Sequence, residues 1–195
     1  MRFDKLIGIL LVLWSGGCHS PEPDASNVAV PDRKVAVASL VLQPEQGLFF
    51  YEGVPFSGTA SAQYANGSPS ASTQYLFGKK HGVHQQWFPN GQLSFQSEYQ
   101  HGKKHGTTTS WWQNGQKRST TPFKSGVVHG QVLQWYKSGT LFKRLHLEEG
   151  KENGLQQSFR ENGKLFSNYE AKNGRVFGLK RAGLCYQLDD EEIQL

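Results

Sequence analysis

Glycine recurs at intervals of 24 residues in three separate columns, and no other feature of the chain limits its fold so tightly. One column runs Gly58, Gly82, Gly106, Gly130, Gly154 and Gly178. A second, four residues earlier, runs Gly78, Gly102, Gly126, Gly150 and Gly174; the third is Gly67, Gly91, Gly115, Gly139 and Gly163. Together they hold 16 of the 22 glycines, so the chain is a tandem repeat whose units must stack to bury a face.

One unit shows the local physics. In Gly82–Tyr99 (GVHQQWFPNGQLSFQSEY), Val83, Gln85 and Trp87 alternate with His84, Gln86 and Phe88. A period of two is a strand. Pro89-Asn90-Gly91 then reverses the chain: proline presets the first turn torsion, asparagine tolerates the second, and glycine takes the positive φ. A two-residue Asn-Gly turn would set Phe88 opposite Leu93, whereas a three-residue loop with a glycine bulge sets Trp87 opposite Leu93. The second is preferred because it places Val83, Trp87, Leu93, Phe95 and Tyr99 on one face. His84, Gln86, Gln92, Gln96 and Glu98 then fall on the other, and register follows burial of one face.

The same positions recur down the chain. Trp87, Trp111, Trp135 and Phe159 form one column, expected to point inward; Leu93, Leu141 and Leu165 form another, in which Lys117 is the exception. Tyr75, Tyr99, Phe123 and Leu147 form a third. The expected fold is all-β: a single elongated, twisted antiparallel sheet of stacked β-hairpins, each repeat adding two strands.

The pattern G-K-K-H-G-x4-W-x2-N-G-x-L at Gly78–Leu93, echoed from Gly102, Gly126 and Gly150, resembles the MORN-type repeat and is closest to its bacterial variant form. The likeness covers about Gly53 to Gly178. It implies a sheet of stacked hairpins that binds membranes or partners and has no chemistry of its own. Some bacterial relatives carry an antitoxin label, which implies an alternative role as an inhibitor-like module covering a partner protein.

The ends read differently. Arg2 and Lys5, the apolar run Leu6–Trp14 and small Ser15-Gly16-Gly17 before Cys18 have the layout of a secretory signal, too short to span a bilayer. Small residues before cysteine resemble a bacterial lipoprotein signal, although Ser15 stands where leucine is usual. Lipidation is therefore expected at Cys18, leaving Cys185 as a lone thiol; without lipid, a Cys18–Cys185 bridge becomes possible. The expected division is a signal at 1–18, a tether and edge strand at 19–46, the repeat domain at 47–188 and an acidic tail at 189–195. Within the second piece, Lys34–Gln43 reads as one strand.

Charge is unevenly spread. Between Gly47 and Leu188 stand 17 Lys/Arg against 7 Asp/Glu, a balance of +10. Such a body favours an anionic neighbour. Lys79, Lys80, His81, Lys103, Lys104 and His105 share one set of turns and are expected to make a basic edge. Phe88, Trp112 and Tyr136 are expected on the polar face with Arg118, Arg144, Arg160 and Lys164, an aromatic-basic contact surface. No metal site is expected. His81, His105 and His129 share a column, but column neighbours are two strands (~9–10 Å) apart, while two ligands of one metal can be only about 4 Å apart.

No nucleophile elbow, zinc-binding helix or phosphate loop is present, so no enzyme and no cofactor are expected. The expected role is a binding or scaffolding module of the cell envelope. It would be membrane-anchored through Cys18 and face the periplasm or exterior. Its expected partner is a protein or an anionic envelope surface, not nucleic acid.

Overall fold

Every glycine column becomes a turn or a bulge. The computed structural model describes residues 29–179; the leader with Cys18, most of the tether, Cys185 and the acidic tail lie outside the described residues. The chain opens with β1 (Lys34–Ala36), β2 (Val41–Gln43), β3 (Leu48–Tyr51), β4 (Val54–Pro55) and β5 (Gly58–Gln63). Next come β6 (Pro69–Leu76), β7 (Lys79–Trp87), β8 (Leu93–Gln100), β9 (Lys103–Trp111), β10 (Lys117–Lys124) and β11 (Val127–Val128). The series ends with β12 (Gly130–Trp135), β13 (Leu141–Glu148), β14 (Lys151–Glu152), β15 (Gly154–Phe159), β16 (Leu165–Lys172) and β17 (Arg175–Leu179).

One 14-stranded sheet runs β1-β5-β6-β7-β8-β9-β10-β12-β13-β15-β16-β17, with β11 on β10 and β14 on β13. From β5 onward each strand pairs antiparallel with its predecessor in this order, as a meander of hairpins requires. The expected all-β sheet of stacked hairpins is the fold.

Two kinds of turn alternate. At one end of the hairpins, two-residue turns have positive φ at both positions, as at Phe77 (49°) and Gly78 (78°), which matches the twist of the flanking strands. Their glycine N–H groups stitch consecutive units: Gly102 donates to the Lys80 carbonyl, Gly126 to that of Lys104 and Gly150 to that of Val128, each at 2.8 Å. At the other end lie the three-residue loops. The Gly91 N–H donates to the Phe88 carbonyl at 2.9 Å and the Phe88 N–H to that of Gln92 at 2.7 Å, so Trp87 faces Leu93 as expected.

The face assignment does not hold. A further bulge follows the loop: Trp87 faces Leu93 but Gln86 faces Phe95, leaving Ser94 extra. The shift recurs where Trp111, Trp135 and Phe159 meet Lys117, Leu141 and Leu165. One extra residue reverses the alternation. Phe95 and Tyr99 therefore join His84, whose ring lies 5.7 and 6.1 Å from theirs, on the face away from Trp87. That face is the buried one, and the Trp column expected inward lies on the more open face.

The buried face is lined largely by small and polar residues. Ser97 and Thr108 share a hydrogen bond at 2.7 Å, as do Thr73 and His84, and all four are buried. Val132, Gln156, Ser158, Tyr169 and Ala171 continue the face. In the Ser97–Thr108 and Thr73–His84 pairs the strands satisfy each other's polar groups, which lowers the cost of burying them, whereas the Ser158 hydroxyl is buried without a partner among the described residues.

The N-terminal residues seal the first hairpin. Phe56, Ala60 and Tyr75 form a buried cluster with Val35, Leu40, Phe49 and Tyr51 against it. β1 pairs in parallel with β5 and covers the sheet's first edge, while β2, β3 and β4 make a separate three-stranded sheet. Lys34–Gln43 is thus two strands rather than one. The Leu40 N–H donates to the Val37 carbonyl at 3.1 Å and closes a turn that hands the chain from one sheet to the other. This cap packs on Tyr75, away from the Trp column.

Candidate binding surfaces

The residue after each Trp-column position starts a three-residue loop, and there the aromatic row stands. The Tyr64 hydroxyl donates to the Trp87 carbonyl at 2.7 Å, the Trp112 indole to that of Trp135 at 3.0 Å and the Tyr136 hydroxyl to that of Phe159 at 3.0 Å. Each bond ties one hairpin to the next. Phe88 occupies the same position without a donor. Burial, then the Glu161 charge, pushes the Tyr136 phenol above its usual range, keeping it a donor.

Basic groups gather on this row in part. The Arg118 guanidinium lies 4.7 Å from the Trp112 ring and the Lys137 ammonium 5.6 Å, both within cation–π range. Arg160 lies 5.1 Å from the Phe166 ring, and Tyr136 packs against Phe142 with ring centres 4.8 Å apart and planes tilted by 54°. Lys164 is exposed beyond the loop, its N–H on the Asn162 side chain. Arg144 departs from the expected grouping. It pairs across the sheet with Leu133 and Gln157, on the Trp-column face, because the bulge at Leu141–Lys143 moves it there.

At the opposite end, the basic edge is split rather than continuous. Consecutive strand residues point to opposite faces, so Lys79 and Lys103 remain exposed while Lys80 and Lys104 turn onto the buried face. There the Lys80 ammonium lies 5.3 Å from the Tyr99 ring, and Lys104 lies 5.4 and 4.9 Å from Phe95 and Phe123. Burial, then the charge of Lys104, holds the Lys80 amine below its usual range. His81 packs 5.7 Å from His101; burial, then His101, lowers its pKa. Lys103, Lys104 and His105 line a notch of about 240 Å³ with Gln100, His101 and Ser125.

The Trp column supplies a surface that the face assignment missed. Trp111 and Trp135 flank a cavity of about 380 Å³, with Gly115 and Gly139 beside them and Gln116 and Lys117 at its rim. The signal in the sequence was Lys117, the one interruption of the leucine column. Amide pairs share this face: Gln85 with Gln96 at 3.0 Å and Gln157 with Asn168 at 3.1 Å.

No curated protein matches the chain significantly. The MORN repeat variant family matches residues 80–101 and 104–125, two consecutive units of the sheet. Repeats of this family are generally binding or scaffolding modules, and two of the stacked hairpin units of this chain match its repeat.

Proposed function

We propose that this protein is a non-enzymatic binding module of the cell envelope, exported and held at a membrane by lipid on Cys18. What supports the reading is the repetition itself. Two consecutive units carry a Lys-Lys-His turn at one end of the hairpins, and the loops at the other end carry an aromatic row with Arg118 over Trp112. Such rows suit an extended partner better than a small substrate. The contact surface is the loop end, where Trp112, Arg118, Tyr136 and Arg160 stand, with Lys103, Lys104 and His105 as a second, anion-facing patch. The charged leader, the apolar run and Cys18 support export and anchoring.

Intact-mass analysis of the protein from its native membrane fraction tests the anchor. Acyl chains on an N-terminal Cys18 are expected. An unprocessed Met1 recovered from the soluble fraction would overturn envelope anchoring and favour the second reading, an inhibitor-like module that covers a protein partner.

A further inference from the structure

We propose that the Trp-column face is a platform for a single extended, β-linked polysaccharide chain carrying acidic sugars. The inference rests on the binding-module reading and names its ligand. Trp87, Trp111, Trp135 and Phe159 stand on β7, β9, β12 and β15, two strands apart at each step. Their spacing is therefore ~9–10 Å, about the length covered by two successive pyranose rings of an extended β-linked chain. Aromatic faces at that interval offer one stacking contact per disaccharide.

The face is otherwise furnished for sugars. Between Trp111 and Trp135, glycines leave a depression of about 380 Å³ rather than a wall, and Gln116 and Lys117 supply polar contacts at its rim. Amide and hydroxyl side chains of the same face, Gln85, Gln96, Thr109 and Thr120 among them, can meet ring hydroxyls.

Charge selects the class. The carboxylates Glu98, Glu148 and Glu170 lie toward the two-residue turns, at the far ends of their strands. On the Trp-column face itself stand Lys117, opposite Trp111, and Arg144, opposite Leu133, while Lys137 and Arg160 belong to the aromatic row of the loops, where Glu161 is the acid. A polyanion laid along the column meets Lys117 opposite Trp111 and Arg144 on the strand paired with that of Trp135, and the cations of the neighbouring loops add to the field. Sheet twist adds a second criterion. Strands rotate by roughly 20–25° each, so successive aromatic rings do not share a plane. The platform fits one free chain that can turn with it and does not fit a flat crystalline surface.

The test is binding of the purified full-length protein to a soluble polyuronate and to a neutral β-linked N-acetylglucosamine oligomer, read by calorimetry and tryptophan fluorescence. The polyuronate is expected to bind and to blue-shift the emission. Trp111→Ala is expected to weaken binding at least about tenfold. Lys117→Glu, an exposed change that leaves the fold intact, should weaken the polyuronate and spare the neutral oligomer. Equal polyuronate binding by wild type and Trp111→Ala would overturn the platform, as would a neutral oligomer that binds as tightly as the acidic one. A wild-type protein that ignores both glycans yet captures a protein or anionic vesicles sinks this inference and leaves the binding-module reading standing. Loss of every such interaction sinks both.

Discussion

The indole Nε1 of Trp112 donates to the backbone carbonyl of Trp135, 3.0 Å away and one repeat further along. The two tryptophans sit on different faces, so one bond joins the row that ties loops together to the column that lies open. Trp112→Phe removes that bond and keeps most of the ring contact, and should cost about 1 kcal/mol. Urea denaturation measures it. A Trp112→Phe variant as stable as wild type would show that the bond contributes nothing.

Phe88 is the unit where this bond is missing. Tyrosines at the equivalent Tyr64 and Tyr136 reach the next unit's carbonyl at 2.7 and 3.0 Å. Phe88→Tyr places a hydroxyl to do the same for Trp111 and should stabilise the fold by about 0.5–1 kcal/mol. A higher midpoint of unfolding is the expected outcome; a lower one would mean that the loops differ.

Phe77 carries a φ of 49° in its two-residue turn, and its side chain is exposed. The left-handed region costs a non-glycine residue roughly 1–2 kcal/mol, and asparagine pays least among side-chain-bearing residues. Asn173 already fills that position in the last such turn. Phe77→Asn should therefore raise Tm by a few degrees, on the order of 1 kcal/mol.

Ser97 and Thr108 are buried and bonded to each other at 2.7 Å. Ser97→Ala strands the Thr108 hydroxyl and should cost about 1–3 kcal/mol, whereas Ser97→Ala with Thr108→Val removes both partners and should cost less. Denaturation of the single and double variants separates the two cases. If the double variant is the weaker, packing and not polarity governs this face.

His84 gives the fold a pH dependence. Burial, then the charge of Lys80, holds its imidazole below the ordinary value of ~6.5. The unfolded chain therefore takes up this proton at higher pH than the folded one. The contribution is fully present above ~6.5 and is lost as pH falls through the lower folded value. Melting should drop from pH 7.5 toward pH 5, and His84→Gln should flatten that slope, leaving the part that His81, also held below its ordinary value, supplies. An unchanged slope would assign the effect elsewhere.

Much of the fold was legible because glycine leaves little choice. Positive φ at Gly91 and Gly102 fixes where the chain turns, and the Pro89-Asn90-Gly91 loop was read correctly down to the pairing of Trp87 with Leu93. The error came one residue later. A bulge at Ser94 is marked by no glycine or proline, yet it sends Phe95 to the other face. The burial argument then favoured the wrong side, because Ser97, Thr108 and Gln156 do not look like core residues until their partners are seen. Arg144 followed the same slip, while the Trp112–Arg118 contact was found because both precede or lie within the bulge.

The capped first edge has a consequence for growth. With β1 laid along β5, the sheet has a sealed origin, and each later unit bonds chiefly to its immediate neighbours. Inserting or deleting 24 residues between existing units would lengthen or shorten the Trp column by one step without disturbing the cap. The protein is in this sense a graduated scale with a fixed zero, whose reach is set by counting units and not by redesigning any of them.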